Sequence, residues 1–247
     1  MPRPDASPGG TVSVPRALSK LGVCSRAEGV RLVEAGRVQV NGDVVRDTAQ
    51  RITPERDHIE IDGTAVVRAE RVYVALNKPR GLVTTRDDPQ GRPTIYQCME
   101  GAGLPFVAPV GRLDKASEGL LLLTNDSRWS ATLLDPASHV DKLYHVQIRG
   151  ALDDLALARA TSGVVETSTG EHLALKRISL LRTGSRSSAW FEIVLDEGRN
   201  RHIRRVFSIL GVEVLRLVRV AIGPLVLGSL AKGEWRMLTP DEVRALA

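Results

Sequence analysis

Gly119-Leu-Leu-Leu-Leu-Thr124 is a continuous apolar run between polar turn residues, a pattern that predicts a buried strand. Lys142 to Gly150 alternates with period two instead, setting Tyr144, Val146 and Ile148 on one face and His145, Gln147 and Arg149 on the other, with Tyr144 pointing coreward. Further strands are expected over Val72–Leu76, Leu173–Leu181 and Ala189–Leu195, the last two joined across the polar stretch Thr183–Ser188. Ile203, Val206, Phe207 and Leu210 repeat at helical spacing, with Asn200 as N-cap and Gly211 as C-cap. Near the start, Pro15–Leu21 reads as a short helix broken at Gly22. Ser25-Arg-Ala-Glu28 has the form of a capping box opening a second helix that ends at Gly36. Arg37–Val40 then alternates, Asn41-Gly42 signals a hairpin turn into Val44-Val45, and Ile59–Ile61 runs up to Asp62-Gly63.

These elements predict an α+β chain. A small helical-hairpin and β domain over 14–63 is followed by a linker over 64–70. A larger domain over 71–247 then carries a mixed, largely antiparallel sheet flanked by helices. Residues 1–13, rich in Pro, Gly and Ser without periodicity, are expected to form a disordered tail.

Composition narrows the function more by position than by total. The chain has 34 basic and 29 acidic residues, a formal charge of +5, and a pI near 9.5, a mild bias toward a polyanionic partner. The excess is local. Arg199, Arg201, Arg204, Arg205, Arg216 and Arg219 stand against Glu213 alone in their stretch, and Arg16, Lys20, Arg26, Arg31, Arg37 and Arg46 outnumber Glu28, Glu34 and Asp43 in theirs. Arg16 and Lys20 are spaced to share a helix face, and Arg26 lies in a first helical turn, where free backbone N–H groups attract phosphate. Cys24 and Cys98 are far apart with no C-x-x-C spacing, so neither a disulfide framework nor a metal site is expected, and a cytoplasmic setting is. No apolar stretch reaches the roughly 18 residues that span a bilayer.

Asp114, on a short turn just before the apolar run, is the candidate reactive carboxylate. Asp126 follows the run and is assigned a turn role. Gly101-Ala-Gly103 lacks the rest of a cofactor-binding fingerprint, which weighs against a methyltransferase.

The segments carrying these features resemble known families. VPRALSKLGVCSRAEGVRLVEAGRVQVNGDVV resembles an S4 RNA-binding domain. GRLDKASEGLLLLTND, KLYHVQIRG and EGRNRHIRRVF resemble, in order, the active-site motifs of the RsuA/RluB family of ribosomal RNA pseudouridine synthases. NKPRGLVTTRDDPQGRPT resembles that family's lead-in and VLRLVRVAIGPLVLGSLAKGEWRML its closing segment, so the likeness covers about residues 14–240. Three positions depart from the family: Ser117 for Thr, Ser127 for Gly, and His202 for Gln, the last expected to offer a polar contact to RNA.

The resemblance implies isomerisation of a uridine in ribosomal RNA, with the large subunit favoured and no cofactor or metal. The implied catalytic set is Asp114, Tyr144 and Arg204, with Arg204 as the cation partnering Asp114. Arg16, Lys20, Arg26, Arg37, Arg112, Arg199 and Arg201 are the expected RNA contacts. Ribosomal RNA or a ribosome assembly intermediate is the implied partner, and a monomer is the default. The competing reading is a non-catalytic S4 protein that binds RNA or assists ribosome assembly, for which Asp114 would be dispensable.

Overall fold

Residues 10–184 and 187–246 are described in the computed structural model, and they divide into two units: 10–72 with 102–108 and 124–127, and the remainder. In the first unit Pro15 sits in the opening turn of α1 (Val14–Lys20), where its missing N–H costs nothing. Ser25 caps α2 (Arg26–Glu34), its hydroxyl accepting from the Glu28 amide at 3.1 Å. The two helices bury Val14, Ala17, Leu18, Leu32 and Val33 against Val38, Val40, Val45, Ile52 and Ile59 of the strands. Asn41 and Gly42 both have positive φ (54° and 90°), the turn that links β2 (Val38–Val40) to β3 (Asp43–Val45). With β5 (Ile59–Ile61) and β6 (Thr64–Ala65) they form a sheet in the order β3-β2-β5-β6.

Both borders of this unit differ from expectation. Of the expected tail, residues 1–9 lie outside the described residues, but Val12–Ser13 form β1, paired with β4 (Arg51–Ile52). Val12 is apolar and closes the edge of the core, and Arg51 donates through Nε to the Thr11 hydroxyl at 3.0 Å. The expected linker is also tied down. Thr64–Ala65 pair with β5, Val66 packs on the core, and the Ala69 amide donates to Leu21 O at 3.0 Å.

The second unit contains β7 (Tyr73–Lys78), β8 (Ala108–Val110), β9 (Glu118–Thr124), α3 (Ser127–Leu134), β10 (Lys142–Arg149) and α4 (Asp154–Ser162). It continues through β11 (Val164–Val165), β12 (His172–Leu173), β13 (Arg177–Thr183), β14 (Ser188–Leu195), α5 (His202–Ile209), β15 (Val214–Ile222), β16 (Leu225–Val226), β17 (Trp235–Met237) and α6 (Pro240–Ala245). Its nine-stranded sheet runs β13-β14-β10-β15-β9-β7-β17, with β8 on β9 and β16 on β15. Every residue of β9 is buried, as the leucine run requires of a central strand. The sheet is mixed because β9 pairs parallel with β15, whereas β10 is antiparallel to both of its neighbours.

Two local expectations are corrected. The strand expected over Leu173–Leu181 is split: β12 pairs with β11, and the Leu175 amide turns away to Ala160 O on α4 (2.8 Å) before β13 begins. The N-cap of α5 is Arg201, in the left-handed region at φ 50°, rather than Asn200. Of the expected loop Thr183–Ser188, residues 185–186 lie outside the described residues. Ser127 opens α3, a position that accepts a Cβ readily.

Gly119 is where β9 meets β15 most closely. Its φ is +101°, and a Cβ there would lie 2.2 Å from Arg219 O. Gly119→Ala is therefore expected to destabilise the fold by on the order of 3 kcal/mol, read as a lowered denaturant midpoint. A change below about 0.5 kcal/mol would show that the strands can part to admit the methyl group.

Candidate active site

Between β8 and β9 the chain makes the short turn that carries Asp114, closed by the Ser117 amide donating to Asp114 O at 2.9 Å. The backbone of this turn is held to an unusual degree, since five consecutive carbonyls each accept a hydrogen bond from outside it. Thr84 Oγ1 donates to Leu113 O (2.6 Å), Lys78 Nζ to Asp114 O (3.2 Å) and Ser117 O (2.9 Å), the Gly81 amide to Lys115 O (2.7 Å), and Arg204 Nη2 to Ala116 O (3.1 Å). No described residue donates to the Asp114 carboxylate itself. Its main chain is fixed while its side chain stays free for a ligand.

Lys78 ends β7 fully buried and spends its third donor on Pro79 O at 3.1 Å, so three N–H groups meet three carbonyls. Burial pushes its pKa down to about 8, against the opposing charges of Asp114 and Glu118. Arg204, half-buried on α5, also donates from Nη1 to Val214 O at 3.1 Å, and its Nε is buried without a partner. Burial lowers its pKa too, with Asp114 opposing that shift.

Asp114, Tyr144 and Arg204 line one cavity of about 560 Å³ in the second unit, within the range that takes a nucleotide-sized ligand. Tyr144 is 8% exposed on β10, directly across the ladder from Arg219 on β15. The expected partnership of Asp114 with Arg204 takes a different form. Arg204 grips the backbone of the turn, and no hydrogen bond joins the two side chains.

The family model described as RNA pseudouridylate synthase matches residues 72–208, and that of the S4 domain matches residues 14–58. The chain belongs to the RNA pseudouridylate synthase family. An uncharacterized RNA pseudouridine synthase of Aquifex aeolicus is 37% identical over 237 residues, covering 95% of this chain and 93% of that one. The ribosomal large subunit pseudouridine synthase B of Bacillus subtilis is 34% identical over 232 residues, covering 94% and 93%. A crystal structure described as a pseudouridylate synthase superposes with a TM-score of 0.67 at 28% identity, covering 96% of this chain and 100% of that one. The chain is thus an RNA pseudouridine synthase with an N-terminal S4 domain, and RNA is its partner. No described helix is long and apolar enough to cross a membrane.

The cations expected to meet RNA in this synthase fall into two groups. Arg16, Lys20 and Arg26 on the S4 helices are exposed, as are Arg112 and Arg201 at the cavity, and none forms an ion pair among the described residues. Arg37 is instead held by Asp62 (3.1 Å), and Arg199 by Glu197 (2.8 Å), Glu171 (3.1 Å) and the His172 carbonyl (2.8 Å). Arg205 is likewise engaged by Glu166 and Glu171, carboxylates that flank the β11–β12 ribbon. The arginine cluster is therefore less cationic in the fold than along the chain.

His202, expected to offer RNA a polar contact, is 3% exposed and lines the cavity. Its Nδ1 lies 3.3 Å from Glu197 Oε1, and burial lowers its pKa, keeping the ring neutral at physiological pH. Two buried residues were given no site role in the sequence reading, Lys78 behind the turn and Arg219 at the cavity. Lys78 leaves no periodic signal, since it merely ends an apolar strand. Arg219 does leave one: it shares the alternation phase of Leu217 and Ala221, the buried face of β15.

Proposed function

We propose that this synthase converts a uridine of ribosomal RNA, in the large subunit, to pseudouridine, with Asp114 acting at the ribose. The observation that carries the assignment is the turn at 113–117, whose five engaged carbonyls fix a free carboxylate at a nucleotide-sized cavity. The large-subunit target is supported by the name of the Bacillus subtilis relative.

The isomerisation breaks the bond from C1′ to N1, turns the ring, joins C5 to C1′ and releases the C5 proton, with no net redox change. Asp114 serves either as nucleophile at the electron-poor C1′ or as base on the ribose. Tyr144 offers a flat face to the uracil and a hydroxyl within the same cavity. Arg204 is a positioning group for the turn. Reaching C1′ requires the nucleotide to leave its stack, a cost that phosphate contacts from Arg112 and Arg201 offset. Arg16, Lys20 and Arg26 grip phosphates on the S4 domain, whereas Arg37 and Arg199 contribute less because carboxylates already hold them.

The test is release of tritium from ribosomal RNA labelled at uridine C5, followed by mapping of the product. Release with one new pseudouridine in large-subunit RNA is expected. No release would leave an RNA-binding protein without this activity, and modification confined to small-subunit RNA would overturn the assigned target. Charge reversal of the S4 cations in Arg16→Glu/Lys20→Glu/Arg26→Glu should flatten the slope of log affinity against log salt by about 2 to 3, with the rate at saturating RNA unchanged. A triple variant with the parental slope would remove those residues from the RNA grip.

A further inference from the structure

Arg219 is 6% exposed and lines the cavity that holds Asp114. Its backbone is locked from both sides, opposite Tyr144 in the antiparallel ladder with β10 and beside Gly119 in the parallel ladder with β9. Nε donates to Leu120 O at 2.7 Å, but Nη2 is buried with no hydrogen-bond partner, and no described carboxylate pairs with the guanidinium. A buried, uncompensated cation is costly, and its neighbours in phase, Leu217 and Ala221, show that the strand itself asks only for an apolar side chain here. Lys142 is a second cation lining the same cavity, but it is partnered: its Nζ donates to Asp196 O at 3.3 Å, and Asp141 and Asp196 oppose the lowering of its pKa by burial and by Arg219. A buried guanidinium with an unpaired N–H at the cavity forms a site for an acceptor that arrives with the ligand.

We infer that Arg219 donates to a carbonyl oxygen of the uracil ring and stabilises that ring as an anion while it is detached from the ribose. The inference rests on the reaction proposed above. When the C1′–N1 bond breaks, its electron pair leaves with the ring, and the negative charge spreads over N1 and the carbonyl oxygens. The ribose is left electron-poor, and Asp114 answers that deficit. The ring then turns, its C5 supplies the electron pair of the new bond to C1′, and the C5 proton is lost to restore aromatic conjugation while N1 takes up a proton, so that product and substrate have the same composition. The cavity matches this separation of charge: a carboxylate for the sugar and a buried cation for the base.

The experiment compares Arg219→Gln and Arg219→Lys with the parental enzyme in single turnover at saturating RNA, on substrates carrying uridine or 5-fluorouridine, followed as loss of the starting nucleoside. Fluorine withdraws electrons and stabilises the ring anion by itself, so the fluorinated substrate depends less on Arg219. Arg219→Gln should slow uridine consumption about a hundredfold with RNA affinity unchanged, slow 5-fluorouridine consumption far less, and be partly rescued by Arg219→Lys. Equal losses on the two substrates, a loss confined to affinity, or a lysine variant as slow as the glutamine variant would reduce Arg219 to a support for Leu120 O. Thermal melting checks each variant, and if Arg219→Gln fails to fold, the comparison of substrates in Arg219→Lys decides. A parental enzyme that consumes no uridine would sink the underlying reaction instead, a result distinct from an active enzyme indifferent to Arg219.

Discussion

Asp114→Asn is expected to lower pseudouridine formation by at least about 10³-fold while the protein folds and binds RNA as before. The substitution keeps the shape of the side chain and removes only its charge. The hydrogen bonds that hold the turn are made by its backbone carbonyls, so none of them is lost. No described donor loses a partner either, because none bonds the carboxylate. Stability should therefore stay within about 0.5 kcal/mol of the parent. The check is single-turnover rate beside equilibrium RNA affinity. Turnover clearly above background in a variant with intact affinity would remove Asp114 from the reaction.

Lys78→Met is expected to have the next largest effect, on rate and stability together. Methionine fills the buried volume but leaves the carbonyls of Pro79, Asp114 and Ser117 without their common donor. Asp114 O keeps the Ser117 amide, but each of the other two carbonyls left unpaired costs about 1–3 kcal/mol, and relaxation of the turn by an ångström would slow the reaction about a hundredfold. The pH dependence separates Lys78 from an ordinary packing residue. With its pKa lowered from 10.5 to about 8, the folded chain lacks a proton that the unfolded chain binds between those values, so stability from this group rises with pH through that window. Activity should move the other way. The neutral amine has two donors for three carbonyls, and the rate should decline as pH passes about 8. Denaturant melts at pH 7 and 9.5 and a pH–rate profile test both signs. A parental profile without the alkaline decline would show that the turn does not depend on the Lys78 proton.

Much of this architecture was legible along the chain because it follows from local rules. The leucine run of β9 announced a buried strand, the alternation of β10 put Tyr144 on the buried face, and Ser25 with Glu28 and Asn41 with Gly42 marked a helix start and a turn. The ordered motifs placed Asp114, Tyr144 and Arg204 together in expectation, and the three do share one cavity. Periodicity reports which face of an element is covered; it is silent on what covers it. For that reason the strand at Val12–Ser13 was missed, since its only warrant is pairing with Arg51–Ile52 across an intervening helical hairpin.

Charge shows the same division more sharply. Arginines at 199 and 205 read as free cations; Glu197 holds Arg199 from only two residues away, but Glu166 and Glu171 are distant in sequence and arrive only when the β11–β12 ribbon folds beside α5. Lys78 and Arg204 likewise acquire their roles from carbonyls of a turn on another strand. Sequence determined which residues carry charge and which faces are apolar, since both are properties of single side chains and their spacing. Tertiary structure alone decided which charges are neutralised, which are spent on backbone, and which, like Arg219, are left buried at the cavity with a donor unpaired among the described residues, because those outcomes depend on distances between segments that no local pattern encodes.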